Sequence, residues 1–170
     1  MITAEVNTEN LFADLEKTWN ELLELLASVD ERSFNTIPFA DSWTVAQLAV
    51  HVSKSNNAIA QGLNMDGKPA QRKADEGVHR LKKTFLNFET KFQSPEFIVP
   101  ENKKYDKQEV IGKLTMSIHR LMGLRTTVDL SEIINLKIFG DITKLELLHF
   151  VVFHTQRHIH QLKNIIKNLE

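Results

Sequence analysis

The chain has 170 residues, 42% of them hydrophobic and 25% charged, with 21 Lys and Arg against 22 Asp and Glu, seven His and no Cys. That length suits one domain over residues 1–170, with a core large enough to fold without disulfides or a structural metal. The missing cysteines exclude disulfide frameworks, thiolate zinc sites, iron–sulfur clusters and a Cys nucleophile, and a formal charge of −1 leaves no electrostatic footprint for nucleic acid or an anionic membrane.

Met1 to Asn10 is polar and acidic, with neither a basic region nor an apolar run behind it, so no secretory signal is expected. Nothing approaches the roughly 20 apolar residues of a membrane span, and a soluble cytoplasmic protein is the expectation. With only 6 Gly and 4 Pro and long stretches of 3.6-residue periodicity, the chain reads as all-helical. The first helix begins after Asn7 or Thr8 and runs to about Val29. Leu11, Leu15, Trp19, Leu22, Leu26 and Val29 form one continuous stripe along it. From Arg32 to Asp41 the pattern breaks, because Pro38 lacks a backbone donor and Ser33, Asn35 and Asp41 favour turns.

A second helix starts near Thr44, which with Gln47 makes a capping box, and Trp43 is placed to staple onto an apolar residue in the first turns. Val45, Leu48, Val52, Ile59 and Leu63 form its buried face, and Gly62, Gly67 and Pro69 mark its decay. The stretch from Asp66 to Asp106 is a long crossover: Glu76 to Phe88 has helical content, and Gln93 to Pro100 reads as an extended excursion. A third helix covers about Lys107 to Thr127, with Val110, Leu114, Ile118, Leu121 and Leu124 inward. A short connection containing Gly140 leads to the last helix, whose start is the capping box Thr143-Lys-Leu-Glu146. Four long amphipathic helices with long crossings predict a four-helix bundle.

The seven histidines separate by helical phase. With His149 as zero on the last helix, His154 lies near about 140°, His158 near about 180° and His160 near about 20°. Leu147, Val151, Leu162, Ile165 and Leu169 cluster between about 160° and 220°, so His154 and His158 face the core while His149 and His160 turn away. Two core-facing imidazoles one turn apart can offer two nitrogens to one ion, or can hydrogen-bond within the core as structural residues. His51 lies at the edge of the second helix's stripe, with small Ser55 and Ala58 beside it, and is the candidate third ligand. Three protein ligands leave a position open, the pattern of catalytic rather than structural zinc. His79 and His119 read as solvated. Gln161, about one turn after His158, is placed to hydrogen-bond a ligand or a water on the metal, whereas Arg157 lies off the ligand axis as a surface or interface residue.

The residue after His154 is Thr155 rather than the Glu of a zincin, so the base of that protease motif is missing. No phosphate loop, nucleophile elbow or dinucleotide fingerprint is present, and Lys82-Lys83 and Lys103-Lys104 are too short for a nucleic-acid groove. Ser42-Trp-Thr-Val-Ala-Gln-Leu-Ala-Val-His51, with Gly140-Asp-Ile-Thr-Lys-Leu-Glu146 and His154-Thr-Gln-Arg-His-Ile-His-Gln161, resembles the two motifs of the DinB/YfiT-like superfamily of metalloenzymes. The resemblance implies a minor up-and-down variant of the four-helix bundle, a divalent metal on His51, His154 and His158, and often a homodimer. It also implies action on a small molecule, by hydrolysis or by transfer of a low-molecular-weight thiol. Zn²⁺ or Ni²⁺ is the expected ion, and any thiol must come from outside because the chain has none. No carboxylate is clearly aimed at the site, so no general base is assigned. A non-catalytic, metal-binding stress-related protein is the alternative, and a bundle with purely structural histidines is the third reading.

Overall fold

The computed structural model describes residues 8–170, so the N-terminal stretch read above lies, up to residue 7, outside the described residues. Helix α1 (Glu9–Ser28) buries Leu11, Leu15, Trp19, Leu22 and Leu26, the predicted stripe. The following break contains one helical turn, α2 (Glu31–Phe34), because the Asp30 side chain caps it by accepting from the Ser33 amide at 2.8 Å. Asp41 then takes a left-handed conformation at φ 61°. Helix α3 (Val45–Leu63) opens on Thr44 with both arms of its capping box formed, at 3.1 Å and 3.0 Å to Gln47. It runs through Gly62, which sits against Leu136 and Leu147 at the place where its decay was expected.

The crossover holds β1 (Lys68–Pro69), α4 (Val78–Phe85) and a 3-10 turn (Glu96–Ile98). The third long helix, α5 (Lys107–Gly123), is shorter than predicted, since the chain tightens into a second 3-10 turn (Leu124–Thr126) and Leu124 is only half-buried. The expected short connection is instead a hairpin, β2 (Glu132–Leu136) and β3 (Gly140–Thr143). The amide of Phe139 bonds back to Leu136 and Gly140 supplies the left-handed residue at φ 67° that closes such a turn without side-chain strain. β1 pairs antiparallel with β2, giving an order β1-β2-β3. The last helix, α6 (Lys144–Lys167), begins at Thr143, whose side chain accepts from the Glu146 amide at 3.1 Å while Glu146 accepts from the Thr143 amide at 2.9 Å. The fold is therefore the predicted helical bundle with a small sheet added.

Side-chain contacts give the helix directions. Asn56 bonds Ser117 at 3.1 Å and Asn57 accepts from Arg120 at 2.9 Å, while Gln47 reaches Glu101 at the start of α3, so α3 and α5 run parallel. Asp14 faces His149 and Glu21 pairs with Lys163, so α1 and α6 are also parallel. Gly62 meets Leu147 whereas His51 meets His158, which makes α3 antiparallel to α6. The order is up, down, down, up, and the parallel α3–α5 pair is what demands the long crossover. Among the described residues, no helix is long and apolar enough to cross a membrane.

Candidate metal centre

His51 enters from the second turn of α3, and His154 and His158 from one face of α6; all are buried. Their nitrogens converge. His51 Nε2 lies 3.3 Å from His154 Nε2, and His158 Nε2 lies 3.1 Å from the same atom. One ligand atom from each of the residues lies within 4.8 Å of the others. Three nitrogens about 2.0–2.1 Å from a tetrahedral ion stand about 3.3 Å apart, which matches those two edges.

The outer ring nitrogens fix the inner ones. His51 Nδ1 faces the Ile98 carbonyl at 3.0 Å, an atom that can only accept, so this nitrogen carries the proton. His158 Nδ1 likewise donates to Gln161 Oε1 at 2.9 Å. Both Nε2 atoms of those neutral rings therefore present lone pairs to the centre. His154 can offer one N–H between the two, or a further lone pair, and neither choice satisfies both neighbours. A cation at the centre would.

A proton is a poor cation here. Burial drives His154 well below its ordinary pKa, with repulsion from His158 and His51 adding to it. Burial pushes His158 down to about 3, with His51 adding and the Gln161 hydrogen bond opposing. Burial also lowers His51, against the support of the Ile98 carbonyl. The imidazoles are thus neutral at neutral pH, the form that ligates metal.

Aromatic rings hold the triad from outside. Phe150, one turn before His154, stacks on it with centroids 5.0 Å apart, and Trp43 lies 4.9 Å from His51. The staple expected of Trp43 thus lands on a ligand-type ring. Arg157 points away from the triad, but it is not a free surface residue. Its guanidinium donates to the carbonyls of Phe85 at 3.2 Å, Asn87 at 2.8 Å and Thr90, and lies 4.7 Å from the Phe92 ring. It ties the crossover to α6. His149 is half-buried and faces Asp14 and Asp75 away from the triad, with burial lowering its pKa against their attraction. His160 is exposed and stacks on Phe88 at 4.1 Å, while His79 and His119 are solvated as expected.

Sequence reasoning missed the Ile98 carbonyl and Phe150. A backbone carbonyl leaves no side-chain signature, whereas the spacing of Phe150 four residues before His154 was visible. The buried carboxylate of Glu146 serves the fold rather than the triad: it accepts from Arg72 at 2.5 and 2.7 Å, from Gly77 at 2.6 Å and from Thr143.

A helical bundle with parallel inner and outer pairs and a buried three-histidine centre defines the class. The chain belongs to the DinB superfamily, whose model matches residues 14–162. Two solved structures are similar in fold. TT2238, a four-helix bundle protein, is 18% identical with a TM-score of 0.58 over 91% of this chain and 97% of its own. YfiT from Bacillus subtilis, a probable metal-dependent hydrolase with an unusual four-helix bundle topology, is 14% identical with a TM-score of 0.63 over 96% of this chain and 88% of its own. No curated protein matches the sequence.

Proposed function

We propose that the protein is a metal-dependent hydrolase of a small molecule, with Zn²⁺ or Ni²⁺ held by His51, His154 and His158. The observation that carries this reading is the convergence of Nε2 atoms at 3.1 and 3.3 Å, with two of the lone pairs aimed by Ile98 and Gln161. A divalent ion in such a site supplies Lewis acidity, acidifying a water or thiol in its open position and polarising a substrate oxygen. The chain's own residues do the rest. The Ile98 carbonyl and Gln161 hold two imidazoles in the ligating tautomer, Phe150 and Trp43 fix ring orientation, and the apolar surroundings keep the rings unprotonated. The metal-dependent hydrolase description of YfiT, a structural neighbour, supports hydrolysis.

Thiol transfer is the second reading. The carboxylate buried in the first turn of α6, that of Glu146, is fully engaged by Arg72, Gly77 and Thr143, which favours a nucleophile that the ion itself can deprotonate. Untagged protein should bind close to one equivalent of Zn²⁺ or Ni²⁺, and His154→Ala should abolish it. Zinc-dependent turnover of activated esters without added thiol marks the hydrolase. Turnover of an alkyl halide only with a supplied thiol marks the transferase. Stoichiometry near zero, unchanged by His154→Ala, would sink both.

A further inference from the structure

His51 is the triad member whose outer bond crosses between separate elements. Gln161, which holds His158, sits three residues on in the same helix, so α6 geometry fixes that pair. The Ile98 carbonyl that holds His51 lies 47 positions away. It stands at the head of a stretch, between the first 3-10 turn and α5, that has no helix or strand of its own.

That stretch is laid along α3 as a strap. The Val99 carbonyl accepts from Lys54 at 3.0 Å and the Glu101 carbonyl from Gln47 at 3.4 Å, so α3 side chains hold the carbonyls of residues 98, 99 and 101. Tyr105 folds its hydroxyl back onto the Glu101 carbonyl at 3.0 Å. Asn35 then clamps the Tyr105 backbone at two points: the Tyr105 amide donates to Oδ1 and the Tyr105 carbonyl accepts from Nδ2, each at 2.8 Å. Asn35 is itself fixed, because Phe34 before it is fully buried and closes α2. Ile98 and Pro100 are buried, whereas Val99 and residues 101–104 are exposed. Apolar packing under the strap is thin, and the polar pins set where it lies.

An ion on His51 Nε2 needs the proton on Nδ1, and a buried Nδ1 proton needs an acceptor, here the Ile98 carbonyl. In the other neutral tautomer Nδ1 turns a lone pair on a carbonyl that can only accept, and the contact becomes repulsive. The docked strap and the bound ion therefore select the same ring state with no change of net charge. By linkage, each tightens the other by the same factor.

We infer that Asn35 and Tyr105 are positioning residues of the metal centre, acting on His51 through the strap, an inference that rests on the metal site proposed above. Among the described residues, neither forms a hydrogen bond to a triad histidine. Lys54 pins the strap too, but its ammonium also repels positive charge at His51, so uncharged Asn35 is the cleaner probe.

The test is Asn35→Ala, with Tyr105→Phe as the milder cut. Ring nitrogen chemical shifts of His51 and His158 are read in zinc-free protein, zinc affinity by competition with a chelator, and amide exchange with and without zinc. Asn35→Ala should move the His51 proton toward Nε2, while His158, held within α6, keeps its proton on Nδ1. A general loosening of the fold would move both. Zinc affinity should fall about three- to tenfold, less than when a ligand's direct partner is removed, and by a smaller factor in Tyr105→Phe. In the parent, zinc should slow exchange of the Ile98, Val99 and Tyr105 amides. A His51 proton that stays on Nδ1 in both variants, or zinc affinity unchanged in both, overturns the inference. If the parent takes up no zinc, the metal site fails, and the His51 shifts of the zinc-free proteins still decide for or against the strap.

Discussion

Replacing Gln161 by Leu tests the tautomer control at the centre of the site. Gln161 Oε1 accepts from His158 Nδ1 at 2.9 Å, and Leu fills similar space without accepting. The proton is then free to move to Nε2, and in that tautomer His158 cannot ligate. Outer-shell losses of this kind weaken metal binding about 10–100-fold, which is about 1.4–2.7 kcal/mol. At a free zinc concentration 1,000 times the parent Kd, the parent gains about 4.1 kcal/mol of stability and the variant only about 1.4–2.7. For a domain of this size the gap is roughly 3–10 °C in Tm. The metal-free proteins should differ by only about 1 kcal/mol, one hydrogen bond. The assays are competition with a fluorescent zinc chelator and thermal unfolding with and without zinc. Gln161→Glu, which accepts more strongly, should bind zinc at least as well as the parent. If Gln161→Leu keeps parental affinity while His158→Ala loses it, the tautomer reasoning is refuted.

Acid should destabilise the metal-free protein. The triad histidines are depressed below 6.5 by burial, so below that pH the unfolded chain takes up protons that the folded one refuses. Stability from each is full above pH 6.5 and falls by about 1.4 kcal/mol per pH unit below it, continuing for His158 toward about 3. Urea unfolding between pH 8 and 5 reads this, and a flat profile would contradict neutral burial. Glu146→Ala removes the acceptor shared by Arg72, Gly77 and Thr143 and should cost about 3 kcal/mol in urea unfolding, the low end for a broken buried pair because Arg72 is partly exposed. Arg157→Ala should speed amide exchange across residues 85–92 while leaving zinc stoichiometry unchanged; unaltered exchange would show that the clamp does not hold that segment.

What could be read from sequence was local. Thr44 with Gln47 and Thr143 with Glu146 fix the starts of α3 and α6 within a single turn, and the phase of His154 and His158 follows from helix geometry alone. The hairpin was not legible because its strands are five and four residues long and β1 only two, too short for alternation to stand out. Within the site, the inward facing of His51 was legible, but its approach to His154 spans 103 positions and depends on how α3 packs against α6. Ile98 lay in the crossover, where a 3-10 turn between prolines carries no periodic signal.

The span between His51 and His154 gives the missing cysteines a further meaning. An ion bound to both would tie together residues 103 positions apart, and a covalent link closing a loop of about that size is worth about 4.7 kcal/mol in chain-entropy terms. The centre would then be a reversible cross-link between the α3 side of the bundle and the unit formed by the hairpin and α6. Thr143 ends β3 and caps α6, so that unit has no loosening loop inside it. A chelator would act on this protein as a reductant acts on a disulfide-bonded one, untying the loop between the two histidines.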